Sequence, residues 1–169
     1  LWDIGSEMDD WRDAYNRSGV YEQLQRFFEG VLSEPTREDS KDYWNTVYGI
    51  TSWAAGRYDK AKEVFDALGD AIAESEFEEF DCDGDFVLAD VGLRTGPFAG
   101  EYGKAERLFG NDWSPEALPL YEGLRDRMQP DSKYLTFVKD RIQILKTRQE
   151  FLTGEWIDLV PEGHLAGWE

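Results

Sequence analysis

A turn rich in aspartate, Asp81-Cys-Asp-Gly-Asp85, carries residue types that could bind a hard cation, because alternating carboxylates in a tight turn can converge their oxygens. The EF-hand calcium loop needs glycine at its sixth position and glutamate at its twelfth. Counted from Asp81, these positions hold Phe86 and Gly92. The spacing therefore favours an acidic loop between two helices and predicts no metal site, although the sequence leaves cation binding by Asp81–Asp85 open.

The other residue types that perform catalysis are few or badly placed. The single cysteine, Cys82, lies beside Asp81 and Asp83, whose charges disfavour the thiolate that nucleophilic attack requires. His164 is the only histidine, so neither a histidine-pair zinc site nor a credible catalytic triad can be assembled. The sequence contains no phosphate-loop or dinucleotide-binding fingerprint. We therefore predict no catalytic residue, no cofactor and no enzymatic activity.

The charge balance restricts the partners. The chain has 36 acidic and 18 basic residues and a formal net charge of −18, which repels phosphate backbones and argues against nucleic-acid binding. No apolar run approaches the ~20 residues of a membrane span, so we predict no membrane insertion. Two interpretations of the charge stay open: it keeps the protein soluble, or it steers a basic partner onto the surface.

The periodicity of apolar residues predicts an all-α fold. Helices are expected at about residues 6–16, 20–32, 36–55, 58–67, 86–94, 102–109, 114–128 and 132–153. The helix over 36–55 has large apolar residues on nearly all faces, so it must be covered on most sides. After Gly154 the segment 156–160 alternates like a strand. We therefore expect a helical domain over 1–153 and a short non-helical tail, a linker or the start of another domain, over 154–169.

A short pattern occurs three times. The segment Gly56-Arg-Tyr-Asp-Lys-Ala-Lys-Glu-Val-Phe65 has related copies that begin at Gly19 and Gly100, so successive copies lie 37 and 44 residues apart. The pattern resembles the tetratricopeptide repeat, whose usual period is about 34 residues. The resemblance covers about residues 5–110 and departs from the family at Leu24, which replaces the alanine. It implies a superhelical stack of antiparallel helical hairpins, with 114–153 as a capping pair. A non-repetitive helical bundle is the alternative.

The residue positions that recur in the three copies have a physical interpretation. Ala61 and Ala105 are expected where the two helices of a hairpin cross, because a small side chain permits the ~8–10 Å approach of packed helices. Phe28, Phe65 and Phe109, one turn further on, are expected between neighbouring hairpins. Each unit would then expose an apolar face that only the next unit can cover.

The resemblance implies a protein- or peptide-binding scaffold rather than an enzyme, with a groove lined by the first helices of successive hairpins. Transferred onto this chain, the groove-lining positions are Asp9, Asp13, Asn16, Arg17, Thr46, Ile50, Trp53, Asp90 and Arg94. The family's carboxylate-gripping groove uses lysines and asparagines, and only Asn16, Arg17 and Arg94 suit that chemistry. The implied ligand is therefore a basic or mixed-charge segment.

The last residues carry a second resemblance. Leu159, Gly163 and Leu165-Ala-Gly-Trp168 are similar to the opening strand and loop of 3-keto-disaccharide hydrolase domains, although Val160-Pro161 departs from that pattern. The resemblance implies that the helices precede a β-sandwich in a larger, secreted, sugar-active enzyme, and we expect this chain, which starts at Leu1, to be part of a longer one. A further degenerate hairpin at this point is the alternative. A third hypothesis is an acidic inhibitor or immunity-type protein that masks a cationic partner.

Overall fold

The structure, a computed structural model, describes residues 14–110 and 114–153, apart from the side chains of Glu38 and Thr153. These residues contain no strand, which confirms the all-α prediction for them. The α-helices are α1 Val20–Ser33, α2 Lys41–Ala54, α3 Tyr58–Leu68, α4 Ser75–Glu79, α5 Gly84–Thr95, α6 Ala99–Gly110, α7 Ala117–Arg127 and α8 Leu135–Thr153. The predicted strand over 156–160, the tail and all but the end of the first predicted helix lie outside the described residues.

Two segments differ from the sequence-based prediction. Residues 35–40 form two short 3₁₀ turns on either side of a kink at Arg37, which has the non-helical dihedrals φ −109° and ψ 17°, and α2 begins only at Lys41. No helix was predicted between residues 67 and 86, but this stretch contains a 3₁₀ turn, Gly69–Ala71, and the five-residue helix α4. Two residues of α4, Glu76 and Phe77, are buried. Tertiary packing, which local composition does not report, therefore accounts for this short helix.

The chain divides into two compact units, residues 1–99 and 100–169. In the first unit α1 packs on α2, α2 on α3 and α4, and α3 on α5. The middle of α2 is covered on all sides, with every residue from Thr46 to Ala54 buried, as its sequence predicted. The third predicted hairpin, α5 with α6, is divided between the two units.

The α2–α3 hairpin depends on one close approach. A Cβ added at Gly49 would overlap the ring of Phe65, so only glycine fits at this position. The three-residue link Ala55–Arg57 turns at Gly56, whose φ of +67° favours glycine. Ala61 is fully buried on the same hairpin, and Phe28 of α1 stacks on Tyr48 of α2 with ring centres 4.7 Å apart.

The second unit contains α6, α7 and α8, of which α7 and α8 pack closely. A partly buried polar cluster joins all three helices. The hydroxyl of Tyr121 on α7 donates to Glu106 Oε1 on α6, and Arg141 Nε on α8 donates to the same oxygen at 3.3 Å. The Arg141 guanidinium also lies 4.3 Å from the centre of the Phe109 ring. Ala105, the counterpart of Ala61, is fully buried.

Candidate peptide-binding pocket

The first unit has a cavity of about 680 Å³ beside α4. The residues between the end of α3 and the first turn of α5 build it. Its lining residues are Gly69, Asp70, Ile72, Glu74, Phe77, Glu78, Cys82, Asp83, Gly84, Asp85 and Leu88. All of these lie between residues 69 and 88, so one continuous stretch of chain supplies the lining within the described part of the protein.

Backbone turns shape this stretch. Helix α3 ends at Gly69, which has φ +53°, and Asp81 turns the chain after α4 with φ +49°. The Cys82 N–H then donates to the Phe77 carbonyl at 2.9 Å, which closes the end of α4. Asp83 begins α5 as its N-cap, since its Oδ1 accepts from the Phe86 N–H at 2.9 Å. The predicted Asp81–Asp85 turn is therefore the junction between α4 and α5.

The floor of the pocket is apolar. Phe77 is 3% exposed and lies 6.0 Å from the ring of Phe65, measured between ring centres. A Cβ added at Gly84 would come within 3.0 Å of the Phe77 ring, so the first turn of α5 presses on it. Ile72 and Leu88 are half-buried at the sides. Because Phe77 is almost fully covered, Ile72 and Leu88 supply most of the apolar surface that a ligand could contact here.

The rim of the pocket is acidic. Its five carboxylates all belong to exposed residues: Asp70, Glu74, Glu78, Asp83 and Asp85. The chain has no Lys, Arg or His between residues 63 and 93, so no cation from this stretch offsets their charge. Among the described residues no group of three or more His, Cys, Asp or Glu could hold a metal ion. The pocket is thus a negative concavity over an apolar floor.

The predicted groove residues are placed differently. Asp9 and Asp13 lie outside the described residues, whereas Asn16 and Arg17 are exposed. Thr46 and Ile50 are fully buried within the first unit. Thr46 Oγ1 donates to the Asp42 carbonyl at 2.8 Å and accepts from the Ala73 N–H at 3.0 Å.

The structure does bring three of the predicted residues together. Trp53 Nε1 donates to Asp90 Oδ2 at 2.8 Å, and Arg94 Nε donates to both carboxylate oxygens of Asp90 at 2.9 and 3.0 Å. The Arg94 guanidinium also lies 4.7 Å from the centre of the Tyr58 ring. Because Trp53 and Asp90 are almost fully buried, this cluster ties α2 and α5 together within the unit. A ligand contact by these residues stays a prediction.

Sequence reasoning did not nominate the pocket residues Asp70, Ile72, Glu74, Phe77, Glu78 and Leu88. One sequence signal was available: residues 63–93 contain no Lys, Arg or His, and the apolar residues of the pocket floor lie among the acidic residues of this stretch. The groove positions were transferred from the first helix of each hairpin. They do not include the pocket residues, since the pocket lies on a connection between helices.

Comparison of the chain with protein-family models, with curated proteins and with solved structures finds no match. None of the described helices is both long and apolar enough to cross a membrane.

Proposed function

We propose that this chain is a non-enzymatic binding module that takes a basic, partly apolar segment of a protein or peptide in the acidic pocket. The single observation that carries the proposal is the arrangement of five exposed carboxylates around the buried ring of Phe77. Long cationic side chains can reach the rim while one apolar side chain covers the floor. An acidic partner would be repelled by the same rim.

The proposal includes the fold expected from the tetratricopeptide resemblance, for residues 14–99 of the first unit. The close approach of Gly49 to Phe65, the full burial of Ala61 and the stacking of Phe28 on Tyr48 support it. A stack of this kind can present connections between helices as well as helix faces. The binding site we propose is such a connection, between α3 and α5.

Binding should depend on salt and on apolar content. Each exposed ion pair contributes ~0.2–1 kcal/mol and weakens as salt rises, so charge alone gives fast but loose association. The apolar floor adds about 25 cal/mol for each Å² of apolar surface buried. A peptide with several lysines and one leucine or phenylalanine should therefore bind more tightly than a lysine-only peptide of equal charge.

The test uses fluorescence anisotropy with three labelled hexapeptides: lysine-rich with a central phenylalanine, lysine-only, and glutamate-rich with the same phenylalanine. The triple variant Asp70→Asn, Glu78→Gln, Asp85→Asn removes three of the five rim charges and leaves the Asp83 cap intact. The matched control is Glu22→Gln, Glu29→Gln, Glu63→Gln, which removes the same charge from exposed positions outside the pocket.

We expect the rim variant to weaken binding of the lysine–phenylalanine peptide about 3- to 150-fold, the sum of three ion pairs of ~0.2–1 kcal/mol. The control triple should change it much less. Equal weakening by both triples would mean that net charge, not the pocket, recruits the peptide. Wild-type affinity in the rim variant would end the proposal.

A further inference from the structure

Beside the pocket lies a buried acid that the binding proposal does not use. Glu76 is the second residue of α4, is 5% exposed and is not among the residues that line the cavity. Its neighbours in sequence, Phe77 and Glu78, do line the cavity. Helix α4 therefore buries one acidic side chain, Glu76, inside the first unit. The same helix, with Cys82 after it, forms one wall of the pocket.

The carboxyl group of Glu76 is only half satisfied. Its Oε1 accepts a hydrogen bond from Ser75 Oγ at 3.0 Å, whereas its Oε2 is buried and has no hydrogen-bond partner among the residues that the structure describes. A buried carboxylate oxygen without a donor strongly disfavours the ionised form. A protonated carboxyl group is better suited to the same place, because it is neutral and costs less to bury.

The titratable groups acting on Glu76 offer it no compensating positive charge. Burial raises the pKa of Glu76; the Ser75 hydrogen bond opposes this shift, and the nearby charge of Glu79 on α4 adds to it. On α2, burial and then the charges of Glu76 and Glu79 raise the pKa of Tyr43, so this phenol stays neutral. No ion pair involves Glu76 within the part of the chain that the structure describes.

Apolar and polar contacts dock this short segment on the rest of the first unit, with Phe77 in the core and Ile72, Phe80 and Cys82 packed against it. The Ala73 N–H donates to Thr46 Oγ1 of α2 at 3.0 Å, and Phe77 packs near Phe65 of α3. The segment is bounded by turns with positive φ at Gly69 and Asp81. Helix α4 has only five residues, so its helical form depends on this docking rather than on its own propensity.

We propose that residues 72–82 form a proton-sensitive wall of the pocket, which docks tightly on α2 when Glu76 is protonated and loosens when Glu76 ionises. In the docked state the Oε2 oxygen of Glu76 has no hydrogen-bond donor among the described residues, and in the open state water solvates both carboxylate oxygens. The role of this wall in regulating ligand binding rests on the proposed function. The docking equilibrium itself does not.

The sign of the pH dependence follows from linkage. Because the docked state raises the pKa of Glu76 above its ordinary value of 4.5, the docked state binds more protons than the open state. Docking is therefore strongest below pH 4.5 and weakens as pH rises through the raised pKa. Between the two pKa values the opening constant should grow about tenfold per pH unit, and it should level off above the higher one.

The test is hydrogen–deuterium exchange of peptides covering 72–82 in the full chain without ligand, between pH 4.5 and 8. Each rate is corrected for the intrinsic pH dependence of exchange. Glu76→Gln keeps the shape of the protonated acid and cannot ionise, so its corrected protection should stay high and independent of pH. In the wild type, the corrected protection of the same amides should fall, at up to about tenfold per pH unit, as pH rises through the raised pKa of Glu76, and should then level off.

Glu78→Gln is the matched control, since it removes one exposed carboxylate from the same helix and should retain the wild-type pH dependence. If Glu76→Gln fails to fold, Glu76→Met supplies a second side chain of similar length that cannot titrate. Wild-type protection that parallels a non-titrating variant at every pH would overturn the proposal. Because no peptide is present, failure here is distinct from failure of the peptide-binding proposal.

Discussion

The indole nitrogen of Trp53 on α2 donates to a carboxylate oxygen of Asp90 on α5 across 2.8 Å, inside the first unit. Asp90 also accepts from Arg94, so one buried acid satisfies an indole and pairs with a guanidinium at once. Hydrogen bonds to charged groups contribute more than neutral ones, and a broken buried pair leaves polar groups without partners.

Asp90→Ala should therefore lower the free energy of unfolding by about 1.5–3 kcal/mol or more, because two donors lose their acceptor. Urea titration followed by circular dichroism measures the change. Asp59→Ala, on the exposed face of the first turn of α3, is the matched control and should cost less than about 1 kcal/mol. Equal stability of the two variants would show that the Asp90 cluster does not hold α5 to α2.

Gly49→Ala should destabilise the first unit by about 1–3 kcal/mol, since the new methyl group overlaps the Phe65 ring and forces that ring against its neighbours. Thermal unfolding measures the effect. Gly30→Ala is a suitable control, because a Cβ at Gly30 meets nothing within 4 Å and alanine favours the helical state. A stabilising effect of Gly49→Ala, like that expected at Gly30, would contradict the close approach.

Ala61→Leu should also destabilise the protein by about 1–3 kcal/mol through overpacking, because Ala61 is fully buried in the α2–α3 hairpin. Ala67→Leu places the same side chain on the same helix at an exposed position and should have little effect. Differential scanning calorimetry of both variants makes the comparison. Unchanged melting of Ala61→Leu would mean that the hairpin has room at this crossing.

Two tyrosines on α1 and α2 should respond oppositely to loss of their hydroxyl groups. The Tyr48 hydroxyl is buried near Tyr21 and makes no hydrogen bond of normal distance and angle with any described residue, whereas Tyr21 shares a hydrogen bond of 3.1 Å with Ser52 Oγ. Tyr21→Phe should cost about 0.5–1.5 kcal/mol, and Tyr48→Phe should be neutral or stabilising. Chemical denaturation at pH 7 distinguishes them. A larger cost for Tyr48→Phe would reveal a partner for its hydroxyl.

Tyr48 should also contribute to alkaline unfolding. Burial, followed by the neighbouring Tyr21, raises the pKa of Tyr48 well above its ordinary value of 10.0. The folded state then retains a proton that the unfolded state loses, so stability should decrease as pH rises above 10. Tyr48→Phe should make this decrease shallower when unfolding is followed between pH 9 and 11. If the decrease in unfolding free energy with pH is equally steep in Tyr48→Phe and in the wild type, groups other than Tyr48 cause the alkaline unfolding.

The sequence predicted the fold class and most helix positions because the apolar residues of the long helices repeat at helical spacing. The near-complete burial of α2 followed from the aromatic residues on nearly all of its faces. Alanine at position 61 indicated a tight hairpin. These signals are local, and local signals are what a single sequence carries.

The site was less predictable, for the same reason. Thr46, Ile50 and Trp53 occupy groove offsets counted along one helix, yet α4 and α5 pack on that helix and all three residues are buried. Whether a helix face is covered depends on how later segments of the chain pack, and positions counted along one helix carry no information about that packing. Helix α4 was missed because its five residues have weak helical periodicity and are stabilised by docking.

The position of Cys82 has a practical consequence. It is the only cysteine in the chain, and its side chain lies at the wall of the acidic cavity. An environment-sensitive dye attached to Cys82 would report whether a ligand occupies the cavity, and no mutation would be needed to attach it. A bromoacetylated peptide bound in the same cavity would become covalently attached at that sulfur, which would identify its docked orientation by mass spectrometry.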